Sequence, residues 1–338
     1  MHVTIIGLGR IGKNVCLHLL EQGVEVVAYN RSRDDVDEVV AKGAVGAYSL
    51  EEIFPKLSFG SDKPVVVLLY VPAKVVDEVL LGVTPPNPLL KRGGTPSFRE
   101  GGLGRVSSLI SIFPKGSIVI DGGNSFFKDS QRRYELLKAK GLHFLDMGTS
   151  GGIEGARNGA CLMVGGDKKV YEQVAPLLSK ISQKDGFGYV GPAGSGHFVK
   201  MVHNAVEYGM MGALAEGLNI IQKSKIKNQN ESGNDYRPNL QKIARIWAHG
   251  SIVSGHLMNM AVRALEKDLQ LQELSGQVPK GETEAEMEWL ESLGQPMPVI
   301  SAARKERVDS RKNPSFIGKV IAALRREFGG HAVKNDTL

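Results

Sequence analysis

The sequence predicts an α/β protein, a doubly wound parallel sheet followed by an all-helical C-terminal domain, and three observations carry that expectation. Short β-branched runs alternate with helical patterns through the first half of the chain. A glycine-rich turn separates the first run from the first helix. From about Ser195 onward the strand signals stop and long helical patterns take over. Alternation of this kind builds βαβ units, whose strands pair in parallel beneath crossover helices. The 338 residues suffice for two domains, and the change of pattern sets them at 1–194 and 195–338.

Taken in order, strands are expected at 3–6, 24–29, 65–70, 117–121 and 143–146, each a compact apolar run. Helices are expected at 11–21, 33–41 and 129–140, where apolar residues recur at three- and four-residue spacing, and then at 197–223, 240–265 and 314–328. Two stretches read as loops. One is 83–104, with three prolines in its first six residues and several glycines later; the other is 225–237, rich in Asn, Ser and Gly.

A composition of 42% hydrophobic and 23% charged residues is that of a folded globular chain, which excludes disordered and fibrous classes. The net charge of +6 is spread among acidic neighbours and gives a weak bias toward anionic small molecules. No basic-aromatic motif supports a nucleic-acid partner. Cys16 and Cys161 are far apart and lie in apolar segments, so neither a disulfide framework nor a metal site is expected, only two buried thiols. The chain opens directly on a strand, and its longest apolar run, 64–73, falls short of the ~20 residues that span a bilayer. A cytoplasmic protein without a membrane partner is the expectation.

Gly7-Leu8-Gly9-Arg10-Ile11-Gly12 follows the first strand and opens the first helix. In that context it reads as a Rossmann-type dinucleotide turn. Gly7 permits the tight turn, Gly9 removes a side chain where a pyrophosphate must approach, and Gly12 lets helix pack on strand. The N–H groups that open the helix then face the phosphates. About eighteen residues on, where an NAD site usually carries an acid for the ribose hydroxyls, stand Asn30, Arg31 and Ser32. An acid repels a 2′-phosphate, whereas a guanidinium pairs with it bidentately and a hydroxyl donates to it. The expected cofactor is NADP, with NAD as the alternative.

Lys200, His203, Asn204 and Glu207 lie three, four and seven apart in an apolar helical segment, and so share one face. A solvated surface stripe is one reading. The other is a general base and a general acid two turns apart, with desolvation bringing the lysine toward neutrality. Asp121-Gly122-Gly123-Asn124-Ser125 and Gly148-Thr149-Ser150-Gly151-Gly152 each follow an expected strand, which puts them at the carboxyl edge of the sheet where ligands of such folds bind. Their amides and short hydroxyls suit a carboxylate or a polyol.

On these motifs the sequence resembles 6-phosphogluconate dehydrogenase, the decarboxylating family, in its short bacterial form. The likeness runs through almost the whole chain, adding Cys161-Leu-Met163, Gly165-Gly-Asp167, Gly196 to Asn204, Glu207 to Met211 and Phe328-Gly-Gly-His331. The resemblance implies oxidation and decarboxylation of 6-phosphogluconate to ribulose 5-phosphate in the pentose phosphate pathway. It makes Lys200 the base on the 3-hydroxyl and Glu207 the acid that protonates C1 of the enediol. Val71 and Asn124 would join the glycine turn around the cofactor, while Asn124, Ser150, Gly151, Gly152, His203, Asn204 and Tyr208 would hold the sugar acid. Arg307, Arg325 and His331 would grip its phosphate, the last two reaching in from the partner of a homodimer. The second domain is then the one that binds substrate and dimerises.

Three departures bear on the substrate. The stretch Gly281-Glu282-Thr283-Glu284-Ala285 carries no cation where the short enzymes have a basic residue before tryptophan. Glu154 stands where a bulky apolar residue is usual, and 83–104 exceeds the family length. Glu284 could repel a phosphate, rotate away or pair with Arg307. The alternative activity is a related β-hydroxyacid dehydrogenase, acting on a 3-hydroxyisobutyrate-like acid or a differently substituted gluconate. A cofactor sensor without turnover would have no need of Lys200 and Glu207.

Overall fold

The computed structural model describes residues 2–57, 65–82, 108–224, 226–227, 235–236, 238–281 and 283–330. The expected loop 83–104 and His331 lie outside them. The chain divides into two compact units, Met1–Lys200 and Met201–Leu338, and the division falls inside the long helix α9 (Ser195–Lys223).

The first unit is built on eight strands: β1 (His2–Ile6), β2 (Val26–Tyr29), β3 (Val45–Ala47), β4 (Val65–Leu69), β5 (Ile118–Asp121), β6 (His143–Ser150), β7 (Ala160–Gly166) and β8 (Ser182–Gly191). They lie in the order β3-β2-β1-β4-β5-β6-β7-β8. The first six pair in parallel, β7 runs antiparallel to β6, and β8 runs parallel to β7. The strand order reverses between β1 and β4, and such a switch point leaves a crevice at the carboxyl ends of the strands.

Apolar residues cover both faces of the sheet, which is why the central strands read as unbroken apolar runs rather than alternating ones. On one face Val66 and Leu68 of β4 pack with Val15, Cys16 and Leu19 of α1 (Arg10–Glu21), Val36 and Val39 of α2 (Arg33–Val40), Ala156 of α7 (Gly152–Asn158) and Val174 of α8 (Lys168–Ile181). On the other, Val67 and Leu69 meet Ile53 of α3 (Ile53–Lys56), Val76 and Leu80 of α4 (Ala73–Leu81), Leu109 of α5 (Leu109–Ile112) and Leu137 of α6 (Phe127–Ala139).

The second unit holds the rest of α9 with α10 (Leu240–Trp247), α11 (His256–Lys267), α12 (Glu284–Ser292), α13 (Pro298–Asp309) and α14 (Phe316–Gly329). Helix α11 packs on α10 and α14. Among the described residues no helix is long and apolar enough to cross a membrane.

Several expectations are corrected. The single helix expected at 240–265 is two, because Gly250 and Gly255 adopt φ of +74° and +150°, which a right-handed helix does not allow. The second unit is not wholly helical, since Ile226–Lys227 (β9) and Asp235–Tyr236 (β10) pair as a small antiparallel ladder inside the expected loop. Strands β7 and β8, read through in the sequence, extend the sheet past its parallel part. Cys16 is buried as expected, and burial pushes its thiol up to about 12, but Cys161 is exposed because it faces outward at the start of β7.

Candidate active site

The glycine turn sits where β1 ends, at the switch point. Gly7 has φ of +95°, and a Cβ there would lie 2.4 Å from the Tyr70 carbonyl oxygen. At Gly12 a Cβ would fall 1.9 Å from the Gly7 carbonyl oxygen, so the helix rests directly on the turn. Around Gly9 a Cβ would meet nothing within 4 Å, which leaves open space on the side a pyrophosphate approaches. Helix α1 starts with no side-chain cap and no acid in its first turn, so its positive end is left to an anion. These residues fit a dinucleotide. Leu8 is buried, whereas Gly9 and Arg10 are exposed and Ile11 half-buried.

Asn30, just past β2, does more than leave room. Its Oδ1 accepts from the Leu8 N–H at 3.3 Å, and its Nδ2 donates to Asp35 Oδ2 at 2.8 Å. Asp35 in turn pairs with Lys13 at 3.0 Å. Asn30 is therefore a fixed strut between the glycine turn and α2, while Arg31 and Ser32 stand exposed beside it.

The loop after β5 is held from below by buried charge. Asp121, 0% exposed, accepts from Ser125 Oγ at 2.7 Å and from Arg133 Nη1 at 3.3 Å. Arg133 also donates to Ser125 Oγ at 2.9 Å and, through Nε, to Asp77 Oδ1 at 2.7 Å; Arg132 pairs with the other Asp77 oxygen. This network fixes the turn that presents exposed Asn124. Gly122 and Gly123 lie close against the Tyr70 ring and the Val71 carbonyl, which puts Val71 and Asn124 on neighbouring strand ends. Burial pushes the Tyr70 phenol up to about 12. After β6, Gly151 and Gly152 take φ of +110° and +62° to start α7, and Ser150 precedes them half-buried. Glu154 is exposed in the first turn of α7, where an acid suits the helix dipole.

Lys200 is buried, at 8% exposure. Its Cβ lies over Gly148 of β6, where a glycine Cβ would approach it to 2.4 Å, so only glycine there admits the lysine. Further along α9, His203 Nδ1 and Asn204 Oδ1 are 3.3 Å apart, Asn204 is buried and Glu207 half-buried.

In the second unit, the Arg307 guanidinium stacks on the Tyr208 ring, 3.5 Å from its centroid. Arg307 is 5% exposed, and its Nη1 has no hydrogen-bond partner among the described residues. Burial pulls it down to about 10, with Tyr208 opposing that shift and Arg325 adding to it. Arg325, also buried, donates to the Pro279 carbonyl at 2.8 Å. Gly281 lies between Arg325 and the Tyr208 hydroxyl: a Cβ there would be 3.4 Å from Nη2 of the one and 3.7 Å from the other. That hydroxyl shares a hydrogen bond with Thr283 Oγ1 at 3.0 Å. Glu284 neither rotates away nor pairs with Arg307. It takes a two-pronged pair from Arg311, one prong at 3.1 Å. Burial works to raise its carboxyl, but the Arg311 bond and charge, with Lys280 and Arg304, outweigh it and hold the group below the usual carboxylate range.

Against known proteins, the family model for the NAD binding domain of 6-phosphogluconate dehydrogenase matches residues 2–95 and 103–191, and the model for that enzyme's C-terminal domain matches 196–234. The Bacillus subtilis protein YqeC, whose naming as a 6-phosphogluconate dehydrogenase is itself provisional, is 38% identical over 335 residues, 99% of each chain. The NAD(+)-dependent decarboxylating 6-phosphogluconate dehydrogenase of Haloferax volcanii is 33% identical, with 98% of each chain covered. The chain belongs to the 6-phosphogluconate dehydrogenase family. The Plasmodium falciparum 6-phosphogluconate dehydrogenase, solved with NADP+ and with 6-phosphogluconate, superposes with a TM-score of 0.72 at 29% identity. It covers 93% of this chain, which spans only 62% of the Plasmodium one.

As a member of that family the chain is an oxidoreductase acting on a hydroxyl carbon, with an NAD(P)-binding domain in its first unit. The structure brings Gly7 to Gly12, Asn30, Val71, Asn124 and Ser150 to one edge of the sheet, and Tyr208, Arg307 and Arg325 to one cluster in the second unit. Within its own chain Arg325 lies beside Tyr208 and Arg307. The sequence reading missed Asp146, His197, the Asp77–Arg133–Asp121 network and Arg311. A signal existed for two of them: Asp121 ends β5 and Asp146 directly follows the apolar Phe144 and Leu145 within β6, and a carboxylate buried there must find donors.

Proposed function

We propose that the chain oxidises and decarboxylates 6-phosphogluconate to ribulose 5-phosphate and carbon dioxide with NADP. The observation that carries this reading is the pair of buried guanidinium groups, Arg307 and Arg325, which lie beside Tyr208 with no carboxylate bonded to either among the described residues. Burying two like charges together costs several kcal/mol unless a strongly anionic ligand group meets them, about what a phosphate provides.

The bound cofactor supplies the acceptor for the hydride that leaves C3. Lys200, buried at the carboxyl edge of the sheet, takes the proton of the 3-hydroxyl in its neutral form. The resulting 3-ketone lies β to the carboxylate and draws in the electron pair released with carbon dioxide; protonated Lys200 then stabilises the enolate oxygen. Glu207 donates a proton to C1 of the enediol. On this reading Asn124, Ser150, Gly151, Gly152, His203 and Asn204 hold the sugar hydroxyls and carboxylate. Arg31 and Ser32 meet the 2′-phosphate, which favours NADP over NAD. Val202, Val206, Met210 and Ile220 are exposed along one face of α9, an apolar stripe that supports a homodimer.

The test incubates purified protein with 6-phosphogluconate and each cofactor, following reduced cofactor and released gas together. Equal amounts of both, a higher kcat/KM with NADP and loss of turnover in Lys200→Ala with cofactor affinity retained are the expected results. Reduction without gas, or faster turnover of an unphosphorylated β-hydroxy acid, would overturn the substrate; equal efficiency with NAD would overturn the cofactor preference.

A further inference from the structure

We infer that Asp146 is the positioning residue that sets Lys200 in place, by clamping the first turn of α9 to strand β6. The inference rests on the reading of Lys200 as the base and adds the device that aims it.

Helix α9 begins after Gly194, which has φ of +91° and no side chain with which to cap it. A helix start needs acceptors for its first N–H groups, usually supplied by the residue at the cap. Here a single carboxylate from another element does that work. Asp146 Oδ1 accepts from the Gly194 N–H at 2.7 Å, and Oδ2 accepts from the His197 N–H at 2.9 Å. Asp146 is 0% exposed, so water does not compete for either oxygen. Its charge also faces the positive end of a helix of 29 residues.

Two glycines turn this cap into a register. Gly196 seats flush on the sheet, since a Cβ there would lie 2.4 Å from the Asp146 carbonyl oxygen and 2.5 Å from that of Met163. Gly148, two residues beyond Asp146 on the same strand and therefore on the same face, lies directly beneath the Cβ of Lys200. A third tie joins His197 to α6, with Nδ1 2.7 Å from Ser130 Oγ, both residues buried. Strand β6 thus fixes the helix start through Asp146 and provides the floor for the lysine one turn later. A helix held at these points cannot slide or rotate without lifting the ammonium out of place.

The test compares Asp146→Asn, which keeps one acceptor oxygen, with Asp146→Ala, which keeps none, and adds Gly148→Ala, which crowds Lys200 while leaving the clamp intact. Displacement of a reacting group by about 1 Å costs on the order of 100-fold in rate. We expect kcat to fall about 100-fold in Asp146→Ala and in Gly148→Ala, and less in Asp146→Asn, with KM for NADP unchanged within about twofold. A second readout is independent of the substrate: the rate at which trinitrobenzenesulfonate modifies Lys200, followed by peptide mass spectrometry. It should rise severalfold in Asp146→Ala as the amine leaves its seat. Should Lys200→Ala retain turnover, the lysine is not the base and the proposed function is what fails. With Lys200→Ala inactive, wild-type kcat and unchanged modification in the Asp146 and Gly148 variants would overturn the positioning role, as would a parallel loss of kcat and cofactor affinity. If Asp146→Ala does not fold, Asp146→Asn and Gly148→Ala decide between the same two results.

Discussion

Replacing Arg307 with Met should make the protein more stable and less able to respond to its ligand. The guanidinium is 5% exposed and is held at about 10 against an ordinary value of 12.5. A base whose folded pKa is depressed has its charged form disfavoured by the fold, so the penalty is fully present below that folded value and is relieved only as pH rises through it. Lowering the group from 12.5 to about 10 corresponds to a penalty of about 3–4 kcal/mol at neutral pH. Stacking on Tyr208 returns about 1 kcal/mol. Methionine fills similar space without the charge, so the ligand-free variant should gain about 2–3 kcal/mol, a rise in Tm of roughly 3–4 °C for a chain of 338 residues. Thermal melts of both proteins, alone and with excess 6-phosphogluconate, provide the assay. At one hundred times Kd the ligand should stabilise the wild type by about 2.7 kcal/mol, and the variant by far less. A variant that melts lower without ligand, or is stabilised by ligand as much as the wild type, would refute the claim that Arg307 is buried there for an anion.

Arg133→Leu leaves the buried Asp121 carboxylate without its ion-pair partner and Asp77 with Arg132 alone, and should destabilise the first unit by about 3 kcal/mol; a shift in the urea midpoint worth less than 1 kcal/mol would contradict the network's role. Because the folded Glu284 carboxyl lies below its ordinary value of 4.5, the stability it contributes is complete above that pH and is lost as pH falls through the folded value. Glu284→Gln should flatten that part of an acid melting series, and an unchanged acid limb counts against the Arg311 pair. Exposed Cys161 should react with a thiol reagent in the native protein, while Cys16 reacts only on unfolding; mass spectrometry of labelled peptides reads both.

Strands β1, β2, β4, β5 and β6 were legible because each is a compact apolar run, and the glycine turn because its meaning depends only on what precedes and follows it. Strand β8 was not: it carries Lys184, Asp185 and three glycines between Ser182 and Gly191, and it pairs only with β7 at the edge of the sheet. Its sequence has no inward period to show. The helix expected at 240–265 failed for the opposite reason, since its apolar spacing runs on across two glycines that only a backbone trace reveals as breaks.

The site divides in the same way. Lys200, Asn124 and Arg307 could be named from residue type, spacing and family likeness, since these are properties of the chain as written. That Glu284 belongs to Arg311, that Asn30 braces the glycine turn and that one buried carboxylate seats the start of α9 depended on pairing residues up to 51 positions apart. A one-dimensional pattern records which faces are apolar and which turns are tight. The partner of a buried charge is chosen by packing in three dimensions, where desolvation forces each carboxylate and guanidinium to find the group the fold brings within reach.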